Sequence, residues 1–301
     1  MWHIVVLYAI FASTFTLGKA ALAYCPPLFL VTFRMISSGL TLLAIYYPIH
    51  GNIGRIKRKD WLFFIKLSFF QIYFSYVTYT WALQYVSSIK AATIYLISPF
   101  FAAFFSYTRF KEKVTFYKLA GLILGAVGMI PTLLYETSSE EALTQIGVLS
   151  TADIMMIISA ASFVYGSILT RDLVKRTEYS PILINGISMT LGGLASGFTA
   201  LLFENNYMLD FHFAPILWGI ITALSISNIA SFVLNTYLLR QYTATFITFM
   251  GFLDPLFVSL YGMVFLGERI SPSFFISIVI VGFGLYLFYN EELKQGYIVK
   301  K

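Results

Sequence analysis

Asp254 and Arg34 are charged residues that each lie well inside a long apolar segment of the chain, over 243–266 and 27–47. A carboxylate there could balance a cationic ligand or exchange a proton, and Asp254 directly precedes Pro255. The Arg34 guanidinium could bind a carboxylate or phosphate through two parallel hydrogen bonds. Each also has a structural alternative: Asp254 could cap backbone groups that the proline leaves free, and Arg34 could reach the interface or pair with an acid.

Two polar stripes add hydrogen-bonding groups to two other apolar segments. One stripe is Gln71, Ser75 and Thr78, and the other is Ser225, Asn228 and Asn235. Their spacings, four and three residues and then three and seven, place each stripe on one face of a helix. We interpret the stripes as facing walls of a polar cavity, although hydrogen bonds between helices would explain any single member.

Aromatic side chains are abundant, with 30 Phe, 21 Tyr and 4 Trp, and most are expected to face lipid or the membrane interface. The aromatic residues predicted to line the cavity are Tyr76, Tyr79, Trp81 and Tyr95. Thr14 and Tyr165, which lie in segments with small residues, could also contact the ligand. Aromatic walls around one carboxylate favour a cationic or purine-bearing ligand.

Residue types that metal sites and disulfides require are scarce. Cys25 is the single cysteine, which excludes an internal disulfide, and all three histidines lie at or near the ends of apolar segments. No metal or other cofactor is therefore predicted. An intramembrane enzyme could use Asp153 and Asp254 as a carboxylate pair, but only if the two side chains lay within hydrogen-bond reach of each other. Asp153 is expected near the outer end of its own segment, so we do not expect them to meet.

The composition indicates a chain embedded in a membrane. Of 301 residues, 58% are hydrophobic and 11% are charged, and the mean hydropathy is +0.79, whereas a soluble domain carries about 25% charged residues. A spanning helix needs about 20 mainly apolar residues. Ten such segments, predicted as helices 1 to 10, are 3–22, 27–47, 62–84, 91–108, 114–134, 149–170, 181–203, 213–238, 243–266 and 272–289. A barrel is disfavoured because apolar residues form runs instead of alternating.

Basic residues predict the orientation of these helices. With a cytoplasmic N-terminus, fourteen of the 20 Lys and Arg residues fall on the cytoplasmic side and three on the opposite face. This bias predicts that both termini are cytoplasmic. It also explains the basic pI of about 9.2 without a nucleic-acid partner. The first segment resembles a secretory signal, but no Lys or Arg precedes it, and we interpret it as helix 1.

The two halves of the chain resemble each other. Pro99 aligns with Pro255 and Glu112 with Glu268 at one offset, 255 − 99 = 156. Because each half holds five helices, the second half enters the membrane inverted, an arrangement typical of secondary transporters. The prolines predict kinks in helices 4 and 9 beside a binding region. The glutamates, at helix ends, are predicted to have a structural or gating role.

The predicted fold is an all-α membrane protein with ten transmembrane helices in two inverted five-helix repeats. The repeat divides the chain into a first unit over 1–135, an external linker over 136–148, a second unit over 149–290 and a cytoplasmic tail over 291–301.

Ordered motifs in the chain match a known pattern. Pro255 is followed, thirteen residues later, by the glutamate of Gly-Glu-Arg at 267–269, and residues 237–240 read Tyr-Leu-Leu-Arg. In helix 2, Arg34 stands seven residues after Pro27. This set resembles the EamA-type members of the drug/metabolite transporter superfamily.

The first half is similar to the same family. It has Trp-Ala-Leu at 81–83, then Pro99 and Glu112, and it departs from the pattern at Lys111, where a glycine is usual. The resemblance implies a ten-helix fold with a central cavity and alternating access. It also implies a small-molecule substrate, which in this family can be an amino acid, a nucleotide sugar, a drug or S-adenosylmethionine.

Together with the aromatic residues and the single carboxylate, the resemblance favours S-adenosylmethionine or another amino-acid-like compound, carried across the cell (inner) membrane. Coupling to protons or to a counter-substrate stays open, and fold alone does not select a substrate. An exporter of drugs or nucleotide-type metabolites is the alternative within the fold. A non-transporting membrane scaffold, or an intramembrane enzyme, is the alternative outside it.

Overall fold

The computed structural model describes residues 2–51, 56–136, 150–204, 215–266 and 272–297. Within these ranges the chain forms helices and no strands. Helices 1 to 5 are Trp2–Ala21, Pro27–His50, Arg58–Leu83, a pair Ser88–Tyr95 and Ser98–Phe110, and Phe116–Glu136. Helices 6 to 10 are Thr151–Arg176, Pro181–Phe203, Pro215–Leu238, a pair Ala244–Phe249 and Asp254–Leu266, and Pro272–Lys294.

Eight of the described helical stretches are long and apolar enough to cross a membrane. Two shorter apolar stretches, Phe116–Gly128 and Ala244–Val258, belong to helices 5 and 9. The predicted fold class, an all-α membrane protein with ten spanning helices in two inverted repeats, is confirmed. The predicted linker over 136–148 lies almost entirely outside the described residues, as do Glu268 and the Gly-Glu-Arg turn that contains it.

Helix packing follows the repeat. Helix 2 packs on helix 7, helix 5 on helix 10, and the second part of helix 4 on the first part of helix 9. Helix 1 packs on helix 8, and helix 3 packs on helix 6. When each helix is replaced by its counterpart in the other half (helix 1 by helix 6, helix 2 by helix 7 and so on), the same five helix pairs result. This packing pattern is the one expected of two repeat-related halves.

Glycine allows the close approach of helices 5 and 10. A Cβ atom built on Gly284 would lie 3.0 Å from the carbonyl oxygen of Gly121 and 3.1 Å from the amide nitrogen of Gly125. These neighbours are backbone atoms that cannot rotate away. Small residues have this role in membrane bundles, where van der Waals packing holds helices together.

Helices 4 and 9 are broken at corresponding positions. Helix 4 stops at Tyr95 and resumes at Ser98, and helix 9 passes through a 3-10 turn over Met250–Leu253 before Asp254. In both, proline is the second residue of the resumed helix. A missing backbone N–H costs little there, because the first N–H groups of a helix have no helical acceptor.

Candidate substrate cavity

A cavity lies where the two broken helices meet helices 1, 3 and 6. The space between its walls is about 660 Å³, a volume that includes open solvent at its mouth. The lining residues are Tyr8, Phe11, Thr14, Phe15, Tyr76, Tyr79, Tyr95, Ser98, Phe163, Val164, Thr248, Gly251 and Asp254. Seven of these thirteen residues are aromatic. Asp254 is the only Asp, Glu, His, Lys or Arg among them. The chamber is therefore mainly apolar, with a single carboxyl group on its wall.

Asp254 is the first residue of the resumed part of helix 9. Its side chain is buried, with 7% of the residue exposed, and its Oδ1 atom has no hydrogen-bond partner. No Lys or Arg of the described chain forms an ion pair with it. A carboxyl group without an ion-pair partner, one oxygen of which also lacks a hydrogen bond, is costly in such surroundings. A cationic group of a ligand would offset that cost.

Two hydroxyl groups of the cavity also lack partners. The Tyr79 Oη and Ser98 Oγ atoms are buried and make no hydrogen bond. Ser98 corresponds to Asp254 in the repeat, since 254 − 98 = 156, and each directly precedes a proline. The two helix breaks thus each place a polar group on the cavity wall, one an acid and the other a hydroxyl group.

Arg34 lies outside the cavity, against the ring of Tyr76. Its guanidinium carbon is 4.9 Å from the centre of that ring, and its Nη2 atom donates to Asn228 Oδ1 at 2.7 Å. Its Nε and Nη1 atoms have no partner, although the residue is fully buried. In this conformation Arg34 supports a wall of the cavity and does not contact its interior.

The first polar stripe holds helix 3 against helix 6. Gln71 lies in a π-helical turn over Ser68–Phe74, where its amide donates to Ser167 Oγ at 3.3 Å and accepts from Thr170 Oγ1 at 2.8 Å. Ser75 contacts the hydroxyl group of Ser159 at 3.4 Å. Gln71 and Ser75 therefore face helix 6, where they find partners, whereas Thr78 Oγ1 donates to carbonyl oxygens of its own helix.

The remaining predicted residues lie around the cavity and not on it. Asn228 accepts from Arg34, and Asn235 is buried away from the lining residues. The ring of Tyr165 packs edge-on against Phe70 and Phe105, at 4.9 and 5.4 Å between centroids. Of the predicted substrate-binding residues, the structure places Thr14, Tyr79, Tyr95 and Asp254 on the cavity.

Several lining residues were not singled out from the sequence: Tyr8, Phe11, Phe15, Ser98, Phe163, Val164, Thr248 and Gly251. A usable signal exists for some of them. Tyr8, Phe11 and Phe15 are spaced by three and four residues, so they share a helical face. Ser98 could have been found by applying the repeat offset to Asp254. No such signal marks Val164, because an apolar residue in an apolar helix is ordinary.

Charged residues at the ends of helices join the two halves. Glu112 pairs with Arg171 at 2.5 Å, and Lys118 pairs with Glu292, all four residues being buried. Glu292 also accepts a hydrogen bond of 2.7 Å from the hydroxyl group of Thr243. Both pairs link a residue of the first half to one of the second.

Asp153 has its own partners, at the other end of helix 6. It pairs with Lys90 at 2.9 Å and forms a capping box with Ser150. It does not line the cavity, so the carboxylate pair with Asp254 that an enzyme would need is not formed.

A ten-helix bundle with two repeat-related helix breaks around a chamber is the architecture of a transporter. The model of the EamA-like transporter family matches residues 1–134 and again residues 150–290. The chain belongs to this family, and it is a multi-pass membrane transporter. The predicted resemblance is confirmed.

Named relatives cover nearly the whole chain. An S-adenosylmethionine/S-adenosylhomocysteine transporter of Chlamydia muridarum (strain MoPn / Nigg) is 32% identical over 96% of this chain and 91% of its own length. A transporter of the same name from Chlamydia trachomatis serovar L2 is 32% identical over 96% of this chain and 89% of its own. A chain of known crystal structure superposes with a TM-score of 0.73 at 16% identity, covering 96% of this chain and 95% of that one, which supports the fold alone.

Proposed function

We propose that this protein carries S-adenosylmethionine across the cell membrane by alternating access, with S-adenosylhomocysteine as a second substrate. The name of the relatives that are 32% identical over 96% of the chain supports this substrate. The observation that carries the proposal is chemical. Asp254, a buried acid whose Oδ1 atom has no hydrogen-bond partner, stands among seven aromatic rings in the central chamber.

The substrate has groups that match this chamber. Its amino-acid end carries an ammonium group, which a carboxylate can neutralise through charge-assisted hydrogen bonds. Its adenine ring can stack on or pack edge-on against aromatic side chains. The free hydroxyl groups of Tyr79 and Ser98 can bind ring nitrogens or ribose hydroxyls. In this proposal Asp254 binds the ammonium group and the aromatic walls bind the adenosyl part.

The transport cycle uses the two halves as moving parts. Opening the chamber towards the cytoplasm requires helix ends of the first half to separate from those of the second, and the Glu112–Arg171 and Lys118–Glu292 pairs join these ends. We assign the pairs to the cytoplasmic gate, with both termini in the cytoplasm of a cell whose inner membrane holds the protein.

Uptake into proteoliposomes tests the proposal. Purified protein should take up radiolabelled S-adenosylmethionine with saturable kinetics, and excess S-adenosylhomocysteine should compete. Asp254→Asn keeps the size of the side chain and removes its charge. It should lower uptake roughly 10- to 100-fold, the change expected when a hydrogen bond to a charged group is lost. Asp60→Asn is the matched control: Asp60 is also a buried acid, but it accepts from Tyr179 outside the cavity, and its uptake should stay near that of the wild type.

Two outcomes would overturn the proposal. One is the absence of saturable uptake by wild-type protein, and the other is equal uptake by Asp254→Asn. Labelled nucleotides and cationic drugs in the same vesicles show whether another substrate class takes the place of S-adenosylmethionine. Vesicles with a pH gradient, or preloaded with S-adenosylhomocysteine, distinguish proton coupling from exchange.

A further inference from the structure

We propose that Phe15, Tyr79 and Tyr95 form a three-sided aromatic cage that binds the sulfonium centre of the substrate. This inference rests on the proposed function, because it assigns one group of S-adenosylmethionine to one part of the chamber. The three residues come from helices 1, 3 and 4, and all line the central cavity. Together they distinguish a charged sulfonium from the neutral thioether of S-adenosylhomocysteine.

The planes of the three rings are nearly perpendicular to one another. Their centroids are 5.8 Å apart for Phe15 and Tyr79, 5.6 Å for Phe15 and Tyr95, and 5.8 Å for Tyr79 and Tyr95. The corresponding angles between ring planes are 80°, 83° and 82°. Three nearly perpendicular rings at similar spacing can form the corner of a box, and we infer that their faces turn towards the cavity that all three residues line. Aromatic cages for methylated onium groups use the same arrangement of faces.

A sulfonium centre suits such a corner better than a hydrogen-bonding site. It carries a positive charge but has no N–H or O–H group to donate. The negative faces of aromatic rings attract a cation without requiring a donor. The ammonium group of the same molecule has donors, and the chamber offers it the Asp254 carboxylate. The two cationic groups of the substrate therefore have two chemically different partners.

No cation of the described chain competes for the cage. The Lys and Arg side chains that lie over rings use Tyr76, Tyr107, Phe288, Tyr297, Phe110, Phe63 and Tyr117. Tyr76 borders the cage, at 6.1 Å from Tyr79 between centroids, but its ring already binds the Arg34 guanidinium. The positive charge of Arg34 disfavours a second cation over that ring, which leaves the three cage rings for the substrate.

The cage is held in place before a ligand arrives. Phe15 and Tyr79 are buried, and the Tyr95 hydroxyl group is hydrogen-bonded to Ser159 Oγ at 2.6 Å. Three separate helices contribute the rings, so helix packing fixes their relative orientation. Preorganised rings gain affinity because little side-chain freedom is lost on binding.

The test compares two substrates that differ in charge at sulfur. In proteoliposomes, KM is measured for S-adenosylmethionine and an inhibition constant for S-adenosylhomocysteine. Phe15→Leu keeps an apolar side chain and removes the ring. It should raise KM for S-adenosylmethionine roughly tenfold, as expected for a desolvated cation–π contact, and should change the inhibition constant of S-adenosylhomocysteine less than about threefold. Phe15→Tyr, which keeps a ring, should leave the ratio of KM for S-adenosylmethionine to the inhibition constant of S-adenosylhomocysteine unchanged.

A fluorinated series separates charge recognition from packing. Phenylalanine with one, two or three ring fluorines at position 15 keeps the shape of the side chain and weakens its negative face stepwise. KM for S-adenosylmethionine should rise with each fluorine, whereas the inhibition constant of S-adenosylhomocysteine should not. The same series at Phe163, a cavity ring outside the cage, is the control and should leave the ratio of the two constants unchanged.

The outcomes distinguish this inference from the proposed function. If wild-type protein shows no saturable uptake of S-adenosylmethionine, both fail. If uptake is saturable and depends on Asp254, but fluorination at position 15 leaves the ratio of the constants unchanged, the cage is wrong and the transporter proposal stands. Because the fluorinated side chains retain the shape of phenylalanine, the test does not depend on the folding of Phe15→Leu.

Discussion

At the scale of single residues, the cavity is defined by polar groups that the protein leaves without partners. Asp254, Tyr79 and Ser98 each keep an atom free of hydrogen bonds. Buried polar atoms are normally paired, and exceptions need an explanation. Other unpartnered atoms occur elsewhere in the described chain, for example on Arg34 and Ser188, but these three lie on one chamber. Gln71 and Ser75, equally polar and on a neighbouring face, are used between helices.

Ser98→Ala tests whether the free hydroxyl group serves a ligand. Because Ser98 Oγ has no protein partner, its removal should leave the thermal unfolding temperature of the detergent-purified protein unchanged or slightly higher. The substitution should raise KM for S-adenosylmethionine roughly 2- to 10-fold, the range of one neutral hydrogen bond. Thr190→Ser, which keeps a hydroxyl group outside the cavity, provides the reference. A lower unfolding temperature with unchanged KM would assign Ser98 to structure instead.

Sequence reasoning reached some of these residues and not others for a physical reason. A carboxylate within an apolar helix is costly enough to be noticed, which marks Asp254. A glutamine or serine costs less and can be satisfied by a neighbouring helix, so its position in a stripe does not decide which neighbour it faces. Phe15 is one of 30 phenylalanines, and only the packing of three helices distinguishes it from those that face lipid.

At the scale of helices, the segment pattern predicts the elements, and proline predicts where they break. The segment 91–108 is two helices, Ser88–Tyr95 and Ser98–Phe110, because the chain turns before Pro99. The π-helical turn over Ser68–Phe74 has no comparable marker in the sequence. Local chemistry therefore locates the breaks that proline produces, whereas a helical irregularity that arises from packing requires the folded bundle.

Gly284→Val tests the close packing of helices 5 and 10. The new side chain would meet backbone atoms of Gly121 and Gly125 at 3.0 and 3.1 Å, so the helices must move apart. We expect a loss of stability of about 1–3 kcal/mol, the usual cost of overpacking, measured by thermal unfolding in detergent. Gly282→Val is the matched control on the same helix, because a Cβ atom there meets nothing within 4 Å. Equal effects of the two substitutions would contradict the assigned packing.

At the scale of the whole molecule, buried ion pairs join the halves whose relative movement transport requires. Glu112 with Arg171 and Lys118 with Glu292 are closed in this conformation. A single substitution would leave an unpaired buried charge, which costs several kcal/mol. Replacing both members of a pair by glutamine removes the attraction without leaving a charge, so it isolates the effect on gating.

The double variant Glu112→Gln with Arg171→Gln should open the chamber to the cytoplasm more often. The reporter is a cysteine introduced by Thr248→Cys, at a cavity residue, with the native Cys25 replaced by serine. A membrane-impermeant thiol reagent applied from the cytoplasmic side should modify it at least about five times faster than in the parent protein, because a gate weakened by about 1 kcal/mol is open about five times as often. The control pair Lys90→Gln with Asp153→Asn should not raise the rate from that side.

A rate of modification unaffected by the loss of the Glu112–Arg171 pair would show that the pair stabilises the fold without closing a gate. The orientation enters the same experiment, because the reagent must be applied from a defined side. Labelling of the N- and C-termini determines the orientation independently, and both termini should react with a reagent applied from the cytoplasmic side.

Equilibrium binding is the most direct test of the chamber as the place where substrate is recognised. Calorimetric titration of detergent-purified protein with S-adenosylmethionine requires neither a gradient nor a working gate. We expect one saturable site in the wild type, and binding at least about tenfold weaker in Asp254→Asn, since a hydrogen-bonded charge is lost. Wild-type affinity in Asp254→Asn, or no binding in either protein, would contradict the assignment.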